Sequence, residues 1–208
     1  MSIKLGGLRL KIGFSAAAFA ALLLNRGPWR LLALSAAAVM LHELTHLCCM
    51  RRCGCRQPTV EILPGGVMIR ADGFSALGYR QAALCLISAP AANLLVGGVF
   101  LLAAPKDAER ARFFGMANLA LGAVNCLPLS FLDGGKTLEC LLAIRGMERA
   151  ARIRRRTDSV CLLLMLSAAA VMTAYGMRPL PYTVFCLYCL IRTVVQHRND
   201  RRNNSVLT

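Results

Sequence analysis

Val39-Met40-Leu41-His42-Glu43-Leu44-Thr45-His46-Leu47 sets two imidazoles and a carboxylate inside a run that is otherwise apolar. On a helix, residues four apart share a face about one turn apart, so His42 and His46 can grip one metal ion. Glu43 follows the first of them, where a carboxylate can take a proton from a water that the ion polarises. Zinc is the default metal for two imidazoles with an open coordination position. His-Glu-x-x-His also arises by accident in soluble chains. Here the apolar setting argues against accident, because ionisable groups at membrane depth are costly and point to function.

The rest of the chain supports that setting. Of its 208 residues 57% are hydrophobic, and the mean hydropathy is +0.55, which excludes an ordinary soluble domain. At roughly 20 residues per span there is room for about six membrane helices with short loops. A formal charge of +15 could suggest nucleic acid. The basic residues, however, lie between and beyond the apolar segments, as cytoplasmic membrane flanks do, so no nucleic-acid partner is expected. Most of the ten cysteines sit in apolar runs and read as small buried hydrophobes. Cys48, Cys49, Cys53 and Cys55 crowd the end of the histidine-bearing helix. Their spacing is not that of a zinc finger or ribbon, which leaves a second metal site as the minor reading.

Taken in order, the sequence predicts a basic leader over residues 1–11 and a first span over residues 12–24, read as a membrane helix rather than a cleaved signal. Trp29 suits the interface, and the second span covers residues 31–50. Residues 58–80 differ in kind. Two β-rich stretches flank Pro64-Gly65-Gly66, which is a hairpin signal. A lone hairpin is marginal in water, so it is expected against the helices or the membrane, with an edge that an extended peptide could join. Further spans are expected over residues 82–104, 113–132, 160–175 and 182–195. A basic amphipathic helix is expected at 137–156 and a polar, irregular tail at 197–208. The fold class is thus an all-α polytopic membrane protein of about six spans with a small membrane-associated hairpin between the second and third.

Charge sets the orientation. With the N-terminus inside, the cytoplasmic segments hold Lys4, Arg9, Lys11, Arg51, Arg52, Arg56, Arg70, Arg80, the arginine cluster at 152–156, Arg198, Arg201 and Arg202. The other side keeps Arg26, Arg30, Lys106, Arg110, Arg112 and Arg178. That bias places both termini in the cytoplasm. It also puts His42, His46, Asn93 and Asp133 at one depth, a convergence that the charge distribution reaches independently of the motif.

A catalytic zinc takes three protein ligands and leaves one position for water. His197 is poorly placed for the third, and Asp133 is the acid that ends an apolar run, although a turn residue before Gly134-Gly135 has the same sequence signature. Pro128 is expected to break the fourth helix before Asp133, and the glycines to end a helix and admit close backbone approach. Asn93 and Asn125 are neutral donors able to hold a substrate backbone or an oxyanion. Either could equally bond between helices.

His42-Glu43-Leu44-Thr45-His46, then Ala89-Pro90-Ala91-Ala92-Asn93, then Asn125-x-x-Pro128 leading to Leu132-Asp133-Gly134-Gly135, occur in that order. Together they resemble the site-2 protease family of intramembrane zinc metalloproteases, over about residues 31–136. The compact build looks most like the bacterial branch that processes a sporulation sigma-factor precursor. The resemblance implies one Zn2+ per chain held by His42, His46 and Asp133, with Glu43 as the catalytic carboxylate. It also implies that the strand region after the first motif receives the substrate. Two positions depart from the family: Ala89 stands where glycine is frequent, and Phe131 where a second proline is. Neither a PDZ-like insertion nor a nucleotide-sensing domain is expected.

The expected function is therefore zinc-dependent endoproteolysis in or beside a transmembrane segment, by a single domain in the cell membrane. The expected partners are a membrane-bound protein substrate and the lipid bilayer, with a membrane regulator or a second copy of the chain as further candidates. The rival from another class is a non-catalytic partner-binding protein or a metal carrier. Retention of Glu43 with all three ligands, and polar groups gathered on one side of the bilayer, favour the enzyme.

Overall fold

The computed structural model describes residues 2–5, 8–12, 29–63, 66–146, 150–176 and 180–205. The expected first span thus lies outside the described residues except for Ile12. Six α-helices carry most of the described chain: α1 (Trp29–Arg52), α2 (Tyr79–Ala103), α3 (Glu109–Cys126), α4 (Asp133–Ile144), α5 (Ala150–Ala174) and α6 (Leu180–Ser205). Two compact units divide between Asn125 and Cys126.

In the first unit, α1 and α2 are long and apolar enough to cross a membrane. Helix α1 turns Ala38, His42, His46, Leu47 and Met50 inward, while Met40 and Leu44 remain exposed. Helix α2 buries Ala82, Cys85, Leu86, Ala89 and Asn93 and exposes Leu84, Leu95, Val99 and Leu102. Outward leucines beside a small-residue inner face are the pattern of helices in lipid, where close backbone approach replaces hydrophobic burial as the driving force. Helix α1 stops at a defined turn. Gly54 adopts φ +87°, its N–H donates to the Arg51 carbonyl, and the Cys55 N–H reaches the Met50 carbonyl. These are the paired bonds of a left-handed helix stop, which favours glycine, and Met50 and Cys55 pack together beneath it.

Four strands follow the order β1 (Ser2–Leu5), β2 (Leu8–Ile12), β3 (Arg56–Leu63) and β4 (Gly66–Asp72). Strands β1 and β2 pair antiparallel, β2 and β3 parallel, and β3 and β4 antiparallel. The N-terminal segment expected as a basic leader therefore supplies two strands. The register shifts between Arg56 and Thr59, where Pro58 has no N–H to give to the ladder.

In the second unit, the chain leaves helical geometry after Cys126 and re-enters it at Asp133. Pro128 accounts for the break, since proline removes an N–H and clashes with the preceding turn. The run expected as one span to residue 132 thus splits into a helix, a six-residue irregular segment (127–132) and a new helix. Gly134 and Gly135 open α4 rather than end a helix. A Cβ on Gly135 would collide with the Leu129 carbonyl, and one on Gly134 with that of Cys126. Close backbone approach, not helix termination, is what these glycines provide.

The irregular segment is tied down from three directions. The Ser130 N–H donates to Asp158 Oδ1 at 2.8 Å, and Leu129 is wholly buried against Cys161, Leu162, Met165, Cys186 and Cys189. Phe131 meets the Tyr188 ring edge-on at 6.2 Å and lies beneath the Arg192 guanidinium. Arg192 therefore covers an aromatic face. The expected amphipathic helix 137–156 is two elements. It breaks after Ile144, where Gly146 takes φ +64°, and its arginine cluster belongs to the start of α5. The expected irregular tail is helical to Ser205, and His197 pairs through Nε2 with the fully buried Asp158 at 2.7 Å. Residues 152–174 form the third helix able to cross a membrane. Helix α3 has Glu109, Arg110 and Arg112 in its first turn, and α6 carries Arg192, His197 and Asp200. These charges shorten their apolar stretches.

Gly135→Ala should lower stability by about 1–3 kcal/mol, because the added methyl has nowhere to go. Gly98→Ala, whose Cβ would meet nothing within 4 Å, should be neutral or stabilising by up to about 1 kcal/mol. Thermal unfolding of both variants in detergent micelles checks the opposite signs.

Candidate metal centre

His42 and His46 lie one turn apart on the inner face of α1, 4% and 6% exposed, with ring centroids 4.9 Å apart and planes near perpendicular. Each ring is held through the same atom. His42 Nδ1 is 2.7 Å from Asn93 Oδ1, and His46 Nδ1 is 2.8 Å from the Cys85 carbonyl oxygen. A carbonyl oxygen only accepts, so His46 carries its proton on Nδ1 and keeps the lone pair on Nε2.

The His42 tautomer follows from a longer chain. The Phe114 carbonyl can only accept, so Asn118 must present Nδ2 to it, at 2.9 Å. That turns Asn118 Oδ1 toward Asn93, which donates to it through Nδ2 at 2.7 Å. Asn93 Nδ2 also donates to the Ala38 carbonyl at 3.3 Å. With its nitrogen so placed, Asn93 offers only Oδ1 to His42, whose Nδ1 must then be the protonated atom. Both imidazoles thus carry a proton on Nδ1. A carbonyl or carboxamide on the distal nitrogen is how proteins orient metal-binding histidines and raise their basicity. The donor chemistry fits a zinc ion.

Glu43 is half-buried, one residue along α1 from His42. Asp133 is the first residue of α4, half-buried, following the anchored segment of the second unit. Asn125 donates through Nδ2 to the Leu121 carbonyl of its own helix at 3.0 Å. Asn93 is wholly buried, its Nδ2 donating to the Ala38 carbonyl and to Asn118 Oδ1 and its Oδ1 facing His42, which is the bonding between helices that the sequence allowed beside an oxyanion role.

Asn118 was missed on the sequence. Its signal was available, because it is a carboxamide in an otherwise apolar stretch, where an unpartnered amide would be costly. Asp158 and Ser130, which hold the segment before Asp133, have no local signature. Their meeting depends on how α5 folds back, and 28 residues separate them.

The fold resembles that of a site-2 protease. One solved structure that it matches is the Site-2 Protease from Methanocaldococcus jannaschii, with a TM-score of 0.63 over 93% of this chain and 94% of that one. Identity is 19%, so the likeness is one of fold. No family model and no curated protein matches the sequence.

Replacing Asn93 by alanine should weaken zinc binding about 10–100-fold, as loss of an orienting partner does. Asn118→Leu should weaken it less, since Asn93 keeps its bond to Ala38. Competition with a chromophoric chelator measures both, and unchanged affinity in Asn93→Ala would remove Asn93 from the centre.

Proposed function

We propose that this protein is a zinc-dependent intramembrane endopeptidase that cleaves a peptide bond in, or next to, a transmembrane segment of a membrane-bound protein. The observation that carries the reading is the pair of buried histidines on one face of an apolar helix, both with Nδ1 committed to an acceptor. We assign His42, His46 and Asp133 as the ligands of the zinc ion, two imidazoles and one carboxylate being a donor set that leaves a position open for water.

Bound there, zinc would supply Lewis acidity toward a water and toward the scissile carbonyl. The chain's own residues do the rest. Glu43 accepts the proton of the attacking water and returns it to the departing amide nitrogen, as a general base that becomes a general acid. Asn93 keeps His42 in its tautomer through both steps. Asn125, near the end of α3, is the remaining carboxamide suited to a substrate carbonyl. Strand β4 stands at an edge of the sheet among the described residues, where an extended segment could add as a further strand, and a substrate helix must unwind to expose a peptide bond.

The same reading has about six spans, both termini in the cytoplasm, and a single-span regulatory protein as substrate. The branch whose compact build it resembles handles a sporulation sigma-factor precursor, which makes such a precursor the first substrate to try.

Glu43→Gln should retain zinc and folding and abolish cleavage of a co-expressed single-span substrate, a loss of about 100-fold or more for a missing general base. Asp133→Ala should lose both zinc and cleavage. Zinc content of the purified variants, read beside immunoblots of the substrate, separates the two roles. Cleavage that survives Glu43→Gln would end the mechanism.

A further inference from the structure

The stripe on α1 that holds the histidines does not stop with them. His42, His46, Cys49 and Cys53 stand at intervals of four, three and four residues, which keeps them on one helical face. The Cys53 N–H still donates to the Cys49 carbonyl at 3.0 Å, so the helical turn extends through Cys53 before Gly54 ends it. On α2, Cys85 faces this end of the stripe. Its Sγ is 3.6 Å from Cys53 Sγ, and the thiol sulfurs of Cys49, Cys53 and Cys85 all lie within 4.8 Å of one another. All three are free thiols, Cys85 fully buried and the other two half-buried.

We infer that Cys49, Cys53 and Cys85 form a thiolate site for one thiophilic d10 cation, Cu+ or Zn2+, separate from the histidine centre. A tetrahedral or trigonal ion with metal–sulfur bonds of about 2.3 Å holds its sulfurs roughly 3.8–4.0 Å apart, so no pair of the three needs to change its separation by more than about 1 Å. Soft thiolates select such ions over the hard cations that carboxylates prefer. The backbone around the sulfurs is fixed on both sides: the Gly54 turn sets Cys53, and packing of Met50, Cys55, Phe74 and Leu77 surrounds Cys85. Half-burial of Cys49 and Cys53 leaves an approach for the ion, while Cys85 closes the inner side. The sequence spacing hid this site, because its third sulfur comes from another helix, 32 residues beyond Cys53. Cys85 also serves the neighbouring centre, its backbone oxygen accepting from His46.

The test is a titration of the reduced, full-length chain in detergent micelles with Cd2+, followed by the near-ultraviolet sulfur-to-metal charge-transfer band. The band should saturate at one ion per chain. Cys53→Ser should weaken Cd2+ binding about 100-fold or more, since even an outer-shell partner is worth 10–100-fold. Cys48→Ser and Cys126→Ser, which remove exposed thiols outside the trio, should leave it unchanged. Cys49→Ser gives a second arm should one variant fail to fold. Displacement of Cd2+ by buffered Cu+ or by Zn2+ then identifies the physiological ion. Absence of the band, its survival in both Cys49→Ser and Cys53→Ser, or a Cys53–Cys85 disulfide in protein prepared without reductant would overturn the assignment. Ions bound by imidazole and carboxylate give no sulfur band, so a failed protease assay and a failed thiolate site cannot be confused.

Discussion

The proton on His42 Nδ1 is the constraint from which the site follows. It is fixed by a relay that begins at a backbone carbonyl, Phe114, and passes through Asn118 and Asn93. Each carboxamide has one acceptor and one donor end, so orienting the first orients the second, and the second chooses the tautomer of the imidazole. In a low-dielectric interior an amide left unpaired costs several kcal/mol, so reversing one member would strand its neighbours. His46 reaches the same tautomer by a shorter route through the Cys85 carbonyl. The result is two buried imidazoles of the same tautomer on one face of an apolar helix.

Within the second unit a different device positions the acid. Helix α4 opens on Asp133 after a six-residue break, and irregular backbone at membrane depth needs protein to satisfy its polar groups. Asp158 does so for Ser130 and is itself matched by His197, a residue near the end of the chain. Phe131, where a proline is frequent in site-2 proteases, packs against Tyr188 and Arg192 instead. Contacts in place of a rigid ring then hold the segment's path. Gly135 completes the arrangement by letting α4 press against the Leu129 backbone.

Much of this was legible in the residues. The His-Glu-x-x-His spacing, the apolar runs and the break at Pro128 are local features that one stretch can express. What stayed hidden depends on chain reversal. The Asn93 carboxamide read equally well as a substrate donor or an interhelical bond, and its partners lie on two other helices, beyond what one stretch can express. The helical run to Ser205 was obscured by polar residues that gave no apolar periodicity. The split of 137–156 was missed because arginines on both sides of Gly146 suggested one continuous basic face. The sulfur trio escaped because cysteine patterns are read along the chain, whereas Cys85 arrives from across a helix interface.

The central claim is that both histidines keep a proton on Nδ1 and leave Nε2 to the metal. Solution NMR of the full-length chain with 15N-labelled histidine, in micles of mild detergent and with one equivalent of zinc, reads this directly. The account expects His42 and His46 to show a proton bonded to Nδ1, and zinc to shift their Nε2 resonances. A proton on Nε2 of either ring, or zinc bound through Nδ1, would contradict it.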